Sequence, residues 1–148
     1  MEQYPRDWLS QRIVSGAQDA MIFADREGVI HLWNSGAEAL FGYSPSEAVG
    51  QTLDLIVPER FRERHWEGYH RVMETGVSRY GREVLAVPAQ RRDGSRVSVE
   101  FTIVLLMGEE GKPLGAAAIM RDVTERWQRE RDLRQHVAKL EAKVAEKG

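Results

Sequence analysis

The sequence predicts an α+β fold, a five-stranded antiparallel sheet with helices on one face, and three observations predict it. Strand-like runs come as a pair near the N-terminus and as a trio in the second half. A helical stretch separates the two groups, and strands grouped apart from helices read as α+β. The clearest strand, Val97 to Met107, alternates Val97, Val99, Phe101, Ile103 and Leu105 with Ser98, Glu100 and Thr102. That pattern gives one buried face and one wet face.

The elements follow in order. Residues 7–16 read as a short amphipathic helix, with Trp8, Leu9, Ile13 and Val14 near helical spacing. Ala20 to Ala24 and Val29 to Trp33 are two short strands, joined by a turn at Asp25 to Gly28 in which glycine can take a positive φ. Ser35 with Glu38, and Ser44 with Glu47, each have capping-box spacing, and Pro45 sits at a first helical position. Gly42 and Gly50 supply stops. Pro58 opens a longer helix to about Thr75, ended by Gly76. Glu83 to Gln90 is the third strand, reversed by Arg92 to Ser95. A second hairpin at Gly108 to Pro113 leads to the last strand, Leu114 to Asp122.

From Thr124 onward there is no strand signal. Leu133, Val137, Leu140 and Val144 are spaced 4, 3 and 4, an a/d seam with Trp127 just before it. Two heptads are fewer than the roughly three to four of a secure coiled coil. Either this helix pairs with another or it packs back on its own domain.

Composition narrows the function classes. The chain has 148 residues, about one domain, which buries roughly 70% of its unfolded surface on folding. Apolar residues make up 42% and charged residues 30%, an ordinary globular balance. The net charge of −2 gives no basic field for nucleic acid or anionic membrane. Cysteine is absent, which excludes disulfides, zinc–thiolate sites, iron–sulfur clusters and a cysteine nucleophile. No apolar run approaches the roughly 20 residues that span a bilayer, and residues 1–11 lack a signal-peptide core. A cytoplasmic, soluble protein is expected.

The ordered set of short segments resembles a PAS sensory domain. The matching pieces are Asp19 to Asp25, Gly28 to Ile30, Trp33–Asn34, Ala37–Glu38, Phe41 to Tyr43, Glu47 to Gly50, Arg92 to Gly94, and Arg121 to Arg126. They run from about residue 12 to 126. The resemblance implies a PAS fold over 17–124, with a flanking helix over 1–16 and a signalling or dimerisation helix over 125–148. It implies a small-molecule pocket on the inner face of the sheet, homodimerisation through the flanking helices, and a link from Asp122 and Thr124 into the output helix. The family often controls transcription or phosphorelays, so a downstream signalling partner is implied in the same way. No kinase phospho-acceptor helix, cyclase signature or helix-turn-helix is expected here, and the chain reads equally as a segment of a longer receptor.

The residues support a pocket independently. Inward parity on the last two strands gives Phe101, Ile103 and Leu105 opposite Leu114, Ala116, Ala118 and Met120. The two alanines leave room for a cavity unless neighbouring side chains fill it. His65, Tyr69, Val72 and Met73 share one face of the long helix and would form the opposite wall.

Arg64–His65 is similar to the pair on this helix in oxygen-sensing haem PAS domains, where the histidine ligates iron; a neutral imidazole suits that role. Haem b is therefore one expectation. The other is a structural His65, because the arginine those sensors use to hold oxygen is matched here by Leu85, with Arg82 displaced by three residues. Flavin photochemistry of the LOV type is excluded for want of a cysteine. His65 and His70 point to different sides of the helix, and His31 and His136 stand alone. Arg60, Arg62, Arg64 and Arg71, interleaved with Glu59, Glu63 and Glu67, read as a solvated, ion-paired helix. The run Gly108 to Lys112 is a hairpin turn and not a phosphate loop, and no nucleophile elbow or dinucleotide fingerprint is present. No enzymatic activity is expected. The chain is read as a ligand- or partner-responsive sensor, with a haem sensor and a ligand-free interaction module as the alternatives.

Overall fold

The computed structural model describes residues 3–78 and 85–147, with the side chain of Leu85 excluded. A sheet of five antiparallel strands carries the fold: β1 (Ala20–Asp25), β2 (Ile30–Trp33), β3 (Leu85–Gln90), β4 (Arg96–Met107) and β5 (Pro113–Asp122). Their spatial order is β2-β1-β5-β4-β3. Between β2 and β3 lie α2 (Ser35–Phe41), α3 (Pro45–Ala48), two 3₁₀ turns (Leu53–Leu55 and Glu59–Phe61) and α4 (Arg62–Thr75). Flanking the sheet domain are α1 (Arg6–Gly16) and α5 (Thr124–Lys147). The last strand in sequence sits at the centre, hydrogen-bonded to both β1 and β4. Residues 83 and 84, expected as the start of the third strand, lie outside the described residues.

Register sets the inner face. Ala20, Ile22 and Ala24 of β1 stand opposite Met120, Ala118 and Ala116 of β5. Those in turn face Phe101, Ile103 and Leu105 of β4. Side chains alternate across a strand, so all of these share one side. At one end, Ala20, Ile22, Val97 and Val99 join Ile30, Trp33, Ala37, Phe41, Ala48 and Ile56 in a single buried cluster. Trp33 and Phe41 meet at 5.6 Å between ring centroids, and the Trp33 indole N–H donates to the Tyr43 carbonyl at 2.9 Å.

Several local details differ from expectation. The first helix of the insert is capped by Asn34 and not by Ser35 with Glu38: Asn34 Oδ1 accepts the Ala37 N–H at 3.0 Å, and the Ser35 hydroxyl donates to the Ser15 carbonyl at 2.5 Å. Asn34 is buried and reaches further. Its Oδ1 also takes the Met21 N–H, and its amide donates to the carbonyls of Val14 and Asp19. One side chain thus ties α1, β1 and α2 together, each bond satisfying a group that burial would otherwise leave costly. The Ser44–Glu47 capping box forms as expected. Pro58 opens a 3₁₀ turn before α4 begins, and Gly76 ends α4 in the left-handed region.

The flanking helices depart more. α1 buries none of its residues: Trp8, Leu9 and Ile13 are exposed, so its apolar side faces no core. α5 also has no buried residue, and Leu133, Val137, Leu140 and Val144 are all exposed. The seam does not pack back on the domain. The i,i+4 pairs Arg126–Glu130 and Arg129–Glu125 lie along its surface.

Candidate functional site

The candidate site is the second half of the sheet's inner face. Phe101, Ile103, Leu105, Ala116 and Ala118 point inward by register, yet each is only half-buried. Met120, at the boundary with the sealed cluster, is buried. Leu114 lies beside the register shift at the β4–β5 hairpin and is 57% exposed, so it does not share the enclosure expected of it. Small-molecule sites are lined mainly by apolar side chains, as this row is.

α4 stands over this surface. His65, Tyr69 and Val72 are half-buried and Met73 fully buried, all on the expected face. Two aromatic anchors fix the helix. The Tyr69 hydroxyl donates to the Asp25 carbonyl at 2.6 Å and lies 3.1 Å from that of Ala24. Burial, with the carboxylates of Asp25 and Glu27 nearby, pushes Tyr69 well above the usual phenol range, so it stays a donor. The Trp66 indole N–H donates to Asp54 Oδ1 at 2.7 Å, and its ring lies on Gly28. A Cβ at Gly28 would come within 2.1 Å of that ring, and its φ of 80° already favours glycine. Arg62, expected to pair along its own helix, instead bonds the carbonyls of Val57 and Asp54 and approaches the Asp54 carboxylate at 3.9 Å.

His65 is the polar group of interest. Its ring packs against Trp66 at 4.9 Å and Tyr69 at 5.8 Å, and its Nδ1 is buried without a hydrogen-bond partner. Burial pushes its pKa down, aided by His70 and opposed by Asp54, so the imidazole is neutral near pH 7. His70, expected on another side, stacks on Trp66 at 5.8 Å and is exposed. His31 is not alone: it lies 2.6 Å from the Asp25 carboxylate. Burial works against the charge on Asp25, but hydrogen bonds from His31, Val29 and Glu27 outweigh it and hold the carboxyl below its usual range.

Two open, charged clefts flank α4. One of about 410 Å³ is lined by Arg26, Glu27, His70, Met73 and Glu74, and another of about 470 Å³ by Arg60, Phe61, Glu63, Arg64 and Glu67. Neither is lined by residues of β4 or β5. Among the described residues no group of three His, Asp or Glu could hold a metal ion. Arg82 falls outside the described residues; the backbone of Leu85, at the start of β3, pairs with Phe101 of β4.

At the far end of β5 the expected transmission residues do meet. Asp122 Oδ1 accepts the Thr124 N–H at 2.9 Å, and Thr124 Oγ1 accepts the Ser98 N–H at 2.9 Å. Sequence reasoning missed three contributors nearby: Asn34, Trp66 and Arg91. Asn34 was visible only as a member of a matching segment and Arg91 was not singled out at all; Gly28 was read as a turn glycine, and its packing under Trp66 carried no signal without the fold.

With this geometry in place, residues 14–128 match the PAS fold family. The chain belongs to the PAS family. The sensor protein FixL of Bradyrhizobium diazoefficiens is 34% identical over 146 residues, 93% of this chain and 28% of that protein. The oxygen sensor protein DosP of Escherichia coli is 27% identical over 95 residues, 64% of this chain and 12% of that protein. This PAS chain therefore spans under a third of either relative. The PAS domain structure from Colwellia psychrerythraea superposes with a TM-score of 0.68 at 28% identity, covering 79% of this chain and 98% of that one. A sensory PAS module with sensor relatives is thus established. No helix among the described residues is long and apolar enough to cross a membrane.

Proposed function

We propose that this PAS module binds a small, uncharged, largely apolar ligand on the open half of its inner sheet face and passes the change through Asp122 and Thr124 into α5. It does so without catalysis, as a cytoplasmic homodimer paired through its exposed flanking helices, acting on a downstream signalling protein. The observation that carries the reading is the half-buried apolar row Phe101, Ile103, Leu105, Ala116 and Ala118. Among the described residues, the titratable wall groups on α4 are the neutral imidazole of His65 and the phenol of Tyr69, neither of which supplies a counter-ion. A ligand biases α5 only if it binds two arrangements unequally.

A second reading, haem, is supported by the orphaned Nδ1 of His65. The donor chemistry fits: the neutral imidazole of His65 would hold the iron, and the apolar Phe101, Ile103 and Leu105 would flank the porphyrin. Iron bound there would supply a site that binds a diatomic gas or takes up and gives back an electron. The residues' own part is to hold the imidazole neutral and to keep water off it.

Absorbance of the freshly purified protein, with mass spectrometry of what it releases on denaturation, tests both. A released organic molecule whose binding is lost in Ala116→Leu supports the first reading. A Soret band that His65→Ala abolishes supports the second. Absence of any released molecule, together with unaltered α5 behaviour across a ligand library, would leave an interaction module and sink both.

A further inference from the structure

The joint between β5 and α5 is held by one carboxylate used in two directions. Asp122 Oδ1 accepts the Thr124 N–H, at the first turn of α5. Its Oδ2 accepts from the Arg91 guanidinium at 3.1 Å. The same guanidinium turns back: Arg91 Nε donates to the Leu40 carbonyl at 3.2 Å. That carbonyl belongs to the last turn of α2, where helical carbonyls lack partners within the helix. The next residue continues the contact, because the Arg92 N–H donates to the Phe41 carbonyl at 2.8 Å.

Ser98 of β4 completes the arrangement. Its N–H goes to Thr124 Oγ1, and its carbonyl accepts the Val123 N–H at 2.9 Å. The start of α5 is thus fixed to the sheet on one side by Ser98 and to the helical layer on the other by Arg91. Arg126 adds a pair to Glu100 at 2.8 Å, again on the sheet side.

We propose that Arg91 is the positioning residue that couples the end of α2 to the first turn of α5. An isolated surface ion pair would not do this, since exposed pairs contribute little. Arg91 differs because its planar fork sends separate donors to two elements, a backbone carbonyl on one and a carboxylate on the other. A displacement of the helical layer against the sheet therefore pulls on the carboxylate that holds Thr124. Lysine, a single point donor on a flexible stem, cannot span both.

The inference deepens the reading that α5 carries the output, but its test needs no ligand. Amide hydrogen exchange is measured on the full chain at Gly42, whose N–H closes the end of α2 on the Glu38 carbonyl, and at Trp127, whose N–H bonds the Val123 carbonyl. Arg91→Gln is expected to speed exchange at both sites at least fivefold, and Asp122→Asn to do the same at Gly42 although it does not touch α2. The double variant should be no faster than either single one. Arg91→Lys should behave like Arg91→Gln, while Arg92→Gln, which loses a pair with Glu47 and a place over the Tyr43 ring but no contact with Asp122, should leave Trp127 unchanged. Exchange at Trp127 within twofold of the parent in Arg91→Gln, or at Gly42 in Asp122→Asn, overturns the coupling. Full rescue by lysine overturns it too, reducing the effect to charge. Should Arg91→Gln fail to fold, Asp122→Asn alone decides. A pocket that proves empty leaves this result intact, so the two failures are distinguishable.

Discussion

The two halves of the sheet's inner face are made by the same strands, yet one is sealed and the other is not. On β4, Val97 and Val99 are each 1% exposed, whereas Phe101, Ile103 and Leu105 two to six residues on are half-buried. The strands do not differ; their covers do. α2 and α3 bring Ala37, Phe41 and Ala48, all fully buried, down onto the first half. α4 brings a mostly polar sequence, and Met73 is its only buried residue among those described. Its large aromatics go elsewhere, Trp66 to Gly28 and Asp54 and Tyr69 to the carbonyls at the end of β1. The open half is therefore a property of α4, set by where its aromatic side chains find partners.

This contrast can be broken most directly by truncation. Phe41→Ala, in the sealed half, should cost about 3–5 kcal/mol through lost burial and a residual cavity. Ile103→Ala, already half in solvent, should cost about 1 kcal/mol, well below the usual range for a buried isoleucine. Denaturant midpoints at unchanged m-value read both. Equal losses would mean the two halves are packed alike and remove the basis for a pocket.

Filling the space gives a smaller but sharper test. Ala37→Leu forces volume into a closed core and should destabilise by about 1–3 kcal/mol. Ala118→Leu, at a half-buried position, should stay within about 1 kcal/mol of the parent if the space in front of it is free. A calorimetric scan that ranked them the other way would place the free volume beneath α2.

The smallest effect concerns acid. Burial lowers the folded pKa of His65 from its ordinary value near 6.5. The unfolded chain then binds the proton more readily, so stability rises with pH through this window. The contribution is full above the unfolded value and fades as pH falls from there toward the lowered folded value. Replacing His65 by phenylalanine should flatten the stability profile as pH falls below the ordinary histidine value, relative to the parent. An unaltered slope would assign the acid sensitivity to other groups.

Much of this molecule was legible in its sequence because the signals were local. Strand alternation, the glycine turns at Gly28 and Gly94, and the Ser44–Glu47 box each depend on a few adjacent residues, and each is found. The parity that put Phe101, Ile103 and Leu105 with Ala116, Ala118 and Met120 needed only the period of a strand, and the register agrees. What escaped were choices between equivalent groups. Ser35 and Asn34 are both good caps, and Asn34 takes the position because its amide also satisfies carbonyls on α1 and before β1, far away in sequence. Arg91, between the third strand and the turn at Arg92 to Ser95, carried no sequence signal of its own. Its role depends on a carbonyl 51 residues earlier and a carboxylate 31 residues later. The alternation along β4 gave the facing of its side chains but not their covering, which α4 determines.

The length of α5 has a mechanical consequence. Its 24 residues extend about 36 Å at 1.5 Å per residue. The described contacts with the sheet domain are concentrated near its base, at Thr124 and Arg126. A lever of that length multiplies angle into distance: tilting it by about 10° at the base carries the far tip through about 6 Å. That is more than the pitch of the helix itself, so a rearrangement too small to disturb the sheet's register could shift whatever sits at the tip by a full helical turn.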